Sequence, residues 1–285
     1  MTGERVEIFE VGPRDGLQNE ARAIPAAEKI ALVDALSDCG FQRIEVASFV
    51  SPKWVPQMAD GAAVLAGIVR TEGVRYAALT PNLKGYAGAL AAQADEVAIF
   101  ASASEGFSKA NLNATIAESL ERFAPPVAAA QTDGMPVRGY VSCVTDCPFD
   151  GPVPPGDVAR VVAALRDLGC YEVSLGDTIG RGVPEAVDLM LGAVLGEMAA
   201  VQLAGHFHDT SGRAVENVDV ALERGLRVFD AAVGGLGGCP YAPGAAGNVA
   251  TEAVLAHLQA RDFVTGLDPA KVAAAGRMAQ AMRTG

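Results

Sequence analysis

The stretch GHFHDTSGR, residues 205–213, carries two of the three histidines in a chain of 285 residues. His206 and His208 stand one residue apart and are followed at once by Asp209. On an extended strand, side chains at i and i+2 leave by the same face. Both imidazoles then project together while Phe207 turns the other way. Two imidazoles and a carboxylate are a common donor set for a divalent cation that keeps positions open for substrate. The carboxylate expected here is Asp15, in GPRDGLQNE. Asp209 is the local alternative, although its i+1 position turns it away. Asn248 can add a carbonyl oxygen. A mixed oxygen and nitrogen set suits Mg2+ or Mn2+ better than a zinc site.

Residues so far apart in sequence meet only if a fold gathers them. Short runs rich in Val, Ile and aromatics recur near 6–11, 43–48, 75–79, 96–101, 137–143, 171–176, 201–207 and 228–232. Between them lie Ala/Leu segments of helical period near 26–39, 59–71, 83–92, 113–131, 156–168, 184–198 and 214–224, with an eighth near 248–260. Gly169 is a fitting stop for the helix before it. Strands alternating with helices imply a parallel sheet. Eight such units at this length predict an α/β fold, a closed (β/α)8 TIM barrel, with a doubly wound open sheet as the alternative. The residues after Phe263 read as a short helical extension on the barrel's outside. No linker or low-complexity segment divides the chain, so residues 1–285 are expected to form a single catalytic domain.

In such barrels chemistry gathers at the C-terminal ends of the strands. Strand 1 ends at Arg14 and Asp15, and strand 2 holds Glu45 and Ser48. Strand 5 holds Tyr140 and Ser142, strand 6 ends at Asp177 and Thr178, and strand 7 ends at the histidine pair. Strands 1 and 7 are separated only by strand 8 in a closed barrel, which is why Asp15 is preferred as the carboxylate.

The net charge of −12 disfavours broad binding to nucleic acid or anionic membranes, since both need basic surface. No apolar run is long enough to span a bilayer. The first strand begins at Val6, so no leader peptide is expected. Five cysteines without C-x-x-C spacing suggest reduced thiols and a cytoplasmic location.

The motifs EVGPRDGLQNE, IEVASFVSPKWVPQMAD, GYVSCVTDCPFDG, GCYEVSLGDTIGRG, GHFHDTSGRA and GGLGGCPYAPGAAGNVATE resemble those of the 3-hydroxy-3-methylglutaryl-CoA lyases. The resemblance runs from about residue 6 to 258. The wider superfamily, which shares the RD and HxH pairs, also holds isopropylmalate and homocitrate synthases. The GGLGGCPYAPGAAGN loop singles out the lyase branch. The resemblance implies cleavage of an acyl-CoA substrate to acetyl-CoA and acetoacetate, within leucine degradation, by a homodimer. It implies a metal site of Asp15, His206, His208 and Asn248. Arg14 would stabilise the enolate-like thioester oxygen, and Glu45 and Asp177 would support catalysis. Cys239, in the glycine-rich loop, would act in proton transfer, with the glycines as hinges of a mobile lid. Ser48, Tyr140, Ser142 and Thr178 are candidates for holding the substrate carboxylate. CVTDCPFDG departs from the animal pattern between its cysteines, which bears on substrate fit.

Overall fold

The structure, a computed structural model, describes residues 3–238 and 247–284. Eight parallel strands close into a barrel: β1 Glu7–Glu10, β2 Arg43–Ser48, β3 Arg75–Leu79, β4 Glu96–Ser102, β5 Val137–Ser142, β6 Glu172–Asp177, β7 Leu203–Phe207 and β8 Val228–Ala231. Each strand pairs with its neighbours in sequence, and β8 closes on β1 with Glu7 opposite Val228. The expected (β/α)8 TIM barrel is therefore the observed fold.

Ten helices are described around it: α1 Ala26–Ser37, α2 Gly61–Gly67, α3 Leu83–Ala91, α4 Glu105–Leu112, α5 Ile116–Thr132, α6 Pro155–Leu168, α7 Pro184–Val194, α8 Ala214–Glu223, α9 Thr251–Ala260 and α10 Pro269–Thr284. Their ends follow local chemistry. Thr115 and Glu118 form a reciprocal capping box on α5, and Gly169 ends α6 at φ +108°. α10 is the expected extension. It packs on α1, on α9 and on the turn after β8, where Gln280 donates to the Gly234 carbonyl.

Two elements depart from the sequence reading. The helix expected over 113–131 is α5, and a further helix that the sequence reading did not include, α4, precedes it. Ser104 caps α4 by accepting from the Phe107 amide, and Asn113 ends it in the left-handed region. Its eight residues, EGFSKANL, are too few and too mixed to show a clean period. A two-residue hairpin, Asp146–Cys147 against Gly151–Pro152, also follows β5.

The main apolar core lies between strands and helices. Ile8, Ile44, Val97, Val141, Leu175 and Phe207 face it from the wall. The barrel's inside holds only small apolar clusters, such as Phe9, Val11, Ala77, Ala204 and Val228. Charges fill much of the rest: Glu7, Arg43, Glu172, Arg138 and Asp230 are linked in that order by a chain of ion pairs.

Candidate active site

The site is built at the C-terminal mouth, beginning with the exit of β1. Residues Gly12–Gly16 form one turn of π-helix. Such turns are rare and often mark functional sites. This one directs two consecutive charged side chains, Arg14 and Asp15, to one place. Glu10 secures it from outside the barrel. Its carboxylate accepts from the Gly12 amide at 2.8 Å, the Val233 amide at 3.0 Å and the Thr251 hydroxyl at 2.6 Å. The exits of β1 and β8 and the start of α9 are thereby tied together. Glu10→Gln would turn an amide NH2 toward a donor. A buried unsatisfied group of this kind costs about 1–3 kcal/mol. We expect a thermal midpoint lower by about 5 °C, measured at pH 8, above the Glu10 titration that burial pushes up to about 7. An unchanged midpoint would mean that this anchor carries no stability.

Arg14 is buried and paired on two sides. Its Nε and Nη2 reach Glu45 Oε2 at 2.6 and 2.5 Å, and its Nη1 reaches Asp15 Oδ1 at 2.6 Å. These two carboxylates hold the guanidinium firmly charged against the opposing effect of burial. Burial raises the Glu45 carboxyl against the pull of Arg14. Glu45 Oε1 has no hydrogen-bond partner. Tyr140 lies between these groups, donating to Glu45 Oε2 at 3.2 Å with its ring 5.5 Å from the Arg14 guanidinium carbon.

His206 faces the interior as expected, while Phe207 packs in the outer core. His208 follows the end of β7 and bridges to Asn248. The Nε2 atoms of the two histidines lie 3.3 Å apart. His206 Nδ1 lies 3.1 Å from Asp230 Oδ2, so the carboxylate fixes the proton on Nδ1 and leaves the Nε2 lone pair facing His208. Burial opposes a proton on His206, but Asp230 and Asp15 raise its pKa nonetheless. Burial and the neighbouring His206 lower His208 to about 4. Against burial, Arg14 and the two histidines hold Asp15 at about 2.

The donor atoms of Asp15, His206 and His208 all lie within 4.8 Å of one another. Asn248 donates to Asp15 Oδ2 at 2.8 Å, and its own Oδ1 is buried without a partner. Converging imidazole lone pairs, an ionised carboxylate and an orphaned amide oxygen are the donor set a divalent cation takes, so the residues present fit the expected metal. Asp209 is excluded from it, since its carboxylate caps α8 at the Ala214 amide, 3.0 Å away.

Other expected residues divide. Strict alternation would put Glu45 and Ser48 on opposite faces. A register shift between Glu45 and Ala47 brings Ser48 into line with Leu79, on the inner side. Ser142 pairs with Ser102 and Gly176 at the same rim. Thr178 is engaged elsewhere, accepting from the Cys143 amide at 2.9 Å. Asp177, expected to support catalysis, turns from the cluster. It pairs in register with Phe207, and its oxygens accept from Thr145 at 2.9 Å and the Gly182 amide at 2.8 Å. Those are the contacts of a loop anchor, and burial raises its pKa despite them.

Cys239 lies outside the described residues. Three of the glycines before it are fixed in the left-handed region. Gly234, Gly235 and Gly237 all have positive φ, and a Cβ on Gly237 would sit 2.9 Å from Asn248 Nδ2. Glycine is needed there so that backbone can approach a side chain of the candidate metal site. The sequence reading missed Asp230, Arg138 and Gln18, whose Nε2 donates to Asp15 at 3.2 Å. The signal for the first two was available: each is a lone charge inside an otherwise apolar strand.

Residues 5–279 match the family described as HMGL-like. A 3-hydroxy-3-isohexenylglutaryl-CoA/hydroxy-methylglutaryl-CoA lyase of Pseudomonas aeruginosa is 55% identical over 274 residues, 96% of this chain and 91% of that protein. Among solved structures, the HMG-CoA lyase of Brucella melitensis superposes with a TM-score of 0.98 at 62% identity, covering 99% of this chain and all of that one. An HMG-CoA lyase from Acinetobacter baumannii, in complex with coenzyme A and 3-methylmalate, superposes with a TM-score of 0.94 at 38% identity, covering 100% of this chain and 93% of that one. With the RD turn, the HxH strand and the barrel that joins them, these likenesses establish that the chain belongs to the HMGL-like family of hydroxymethylglutaryl-CoA lyases.

Proposed function

We propose that this chain cleaves 3-hydroxy-3-methylglutaryl-CoA to acetyl-CoA and acetoacetate by a retro-Claisen reaction. The observation that carries the reading is the meeting of the Asp15, His206 and His208 donor atoms within 4.8 Å, directly beside Arg14. Asp15, His206, His208 and Asn248 would hold the cation, Mg2+ or Mn2+. When bound, it supplies a Lewis acid that lowers the pKa of the C3 hydroxyl.

The substrate gives up the C3 hydroxyl proton, and the bond between C3 and the thioester-side carbon breaks. Its electron pair moves into the thioester enolate, and that carbon takes a proton. No atom is gained or lost, so an acid and a base are the only further needs. Arg14 meets the negative charge that develops on the thioester oxygen. Glu45 and Tyr140 keep its guanidinium aimed. Ser48 and Ser142, on the inner rim, are suited to the distal carboxylate of the substrate. Cys239 is assigned the proton transfer at the enolate carbon. We further read the chain as one catalytic domain, acting as a cytoplasmic homodimer in leucine breakdown.

The test is a product assay. Purified protein, Mg2+ and the acyl-CoA should release acetoacetate and acetyl-CoA in equal amounts. Condensation of acetyl-CoA with a 2-oxo acid, without cleavage, would instead assign the chain to the synthases that share its fold.

A further inference from the structure

Arg14 and His206 enter the mouth from the ends of β1 and β7, two strands apart, and both face Asp15 there. Both lead back to one residue deeper in the barrel. Arg138, on β5, is fully buried. Its Nη1 donates to the Tyr140 hydroxyl at 2.9 Å, and that hydroxyl donates onward to Glu45, the carboxylate that grips Arg14. Its Nη1 and Nη2 also clasp Asp230 at 3.0 and 2.7 Å, and Asp230 fixes His206 at Nδ1. Nε is taken by Glu172 at 2.6 Å, and the guanidinium rests on the Phe9 ring, 4.5 Å from its centroid. Ser174 adds a donor to Asp230 at 2.7 Å.

We propose that Arg138 is a positioning residue that holds the Arg14 arm and the His206 arm of the site in one fixed relation. A guanidinium suits this task because its donors leave in one rigid plane, toward two different acceptors at once. An ammonium keeps the charge but not the fork. The Tyr140–Glu45 arm then sets where the Arg14 charge points. The Asp230 arm sets which His206 nitrogen is free to bind a cation, since an acceptor at Nδ1 leaves Nε2 bare. The inference rests on the metal-site reading above.

Three variants separate the arms: Tyr140→Phe, Asp230→Asn and Arg138→Lys. Each is measured for Mn2+ affinity by titration calorimetry on metal-free protein, for kcat and KM, and for melting temperature. Tyr140→Phe should lower kcat and weaken Mn2+ affinity less than Asp230→Asn does, because its arm meets a ligand only indirectly, through Glu45 and Arg14 to Asp15. Asp230→Asn replaces the charged acceptor at His206 Nδ1 with a neutral amide, loosening its hold on the ring and the tautomer, and should weaken Mn2+ binding by about 10–100-fold. Arg138→Lys should do both at once, with KM little changed. If Arg138→Lys melts at lower temperature yet keeps wild-type Mn2+ affinity and kcat when folded, Arg138 is structural filler and the inference falls.

Should Arg138→Lys fail to fold, the Tyr140→Phe, Asp230→Asn double variant decides. With Arg138 coupling the arms, the two losses in kcat combine non-additively, and strict additivity overturns the inference. A wild-type chain that takes up no Mn2+ removes the metal-site reading itself, and this inference with it.

Discussion

Arg14→Lys should reduce kcat by on the order of a hundredfold or more, the scale for losing one donor to a developing oxyanion. KM should move far less. In the structure Arg14 spans two carboxylates at once, Glu45 on one edge and Asp15 on the other. A lysine can follow one of them but cannot face both and still present an N–H to substrate. Steady-state kinetics at saturating Mg2+ read the effect directly. A large rise in KM with unchanged kcat would instead make Arg14 a group that binds substrate and transition state equally.

Removal of the cation should be as severe. Chelation is expected to abolish turnover, and Mg2+ or Mn2+ to restore it. His206→Ala or Asp15→Ala should weaken metal uptake and activity together. The pH dependence has a definite sign. Cation and proton compete for the same lone pairs. His208, lowered to about 4, and Asp15, held at about 2, stay unprotonated through the neutral range. His206 is raised above its ordinary value, so of the three it is the first to take up a proton as the pH falls. Metal affinity should therefore weaken toward acid with a slope of about one proton per ion. Calorimetry in two buffers of different ionisation enthalpy counts that proton. Turnover that survives in demonstrably metal-free protein, or affinity that does not vary between pH 8 and 6, would refute the site.

Much of this was legible before any coordinates. The eight strands follow from apolar runs bounded by helical segments, and the histidine pair follows from the period of two. Asp15 could be chosen because closure of the barrel brings β1 close to β7. What escaped has a common physical origin. Ser48 reaches the inner face through a register irregularity, which no period reveals in advance. The resemblance gave Asp177 a supporting catalytic role, yet its carboxylate turns to Thr145 and the Gly182 amide. α4 depends on a cap at Ser104 rather than on a repeating pattern. Asp230 and Arg138 were read as parts of β8 and β5, when their charge inside apolar strands marked them as interior polar groups.

The two-sided barrel wall also bears on how such a protein changes over generations. Most of the apolar packing lies outside the wall, between strands and helices, whereas the lining is largely ionic. A change of lining therefore disturbs little of the packing that keeps the barrel shut. It meets a different obstacle. Truncating one partner of a buried ion pair strands the other, at about 3–5 kcal/mol, whereas replacing both with apolar residues of similar volume is often tolerated. Arg43 with Glu172 is such a couple. Single substitutions at these positions should be selected against even where a double exchange is harmless. Descent with new specificity is then expected to proceed by paired exchanges across the lumen, and a library that varies one position at a time would miss them.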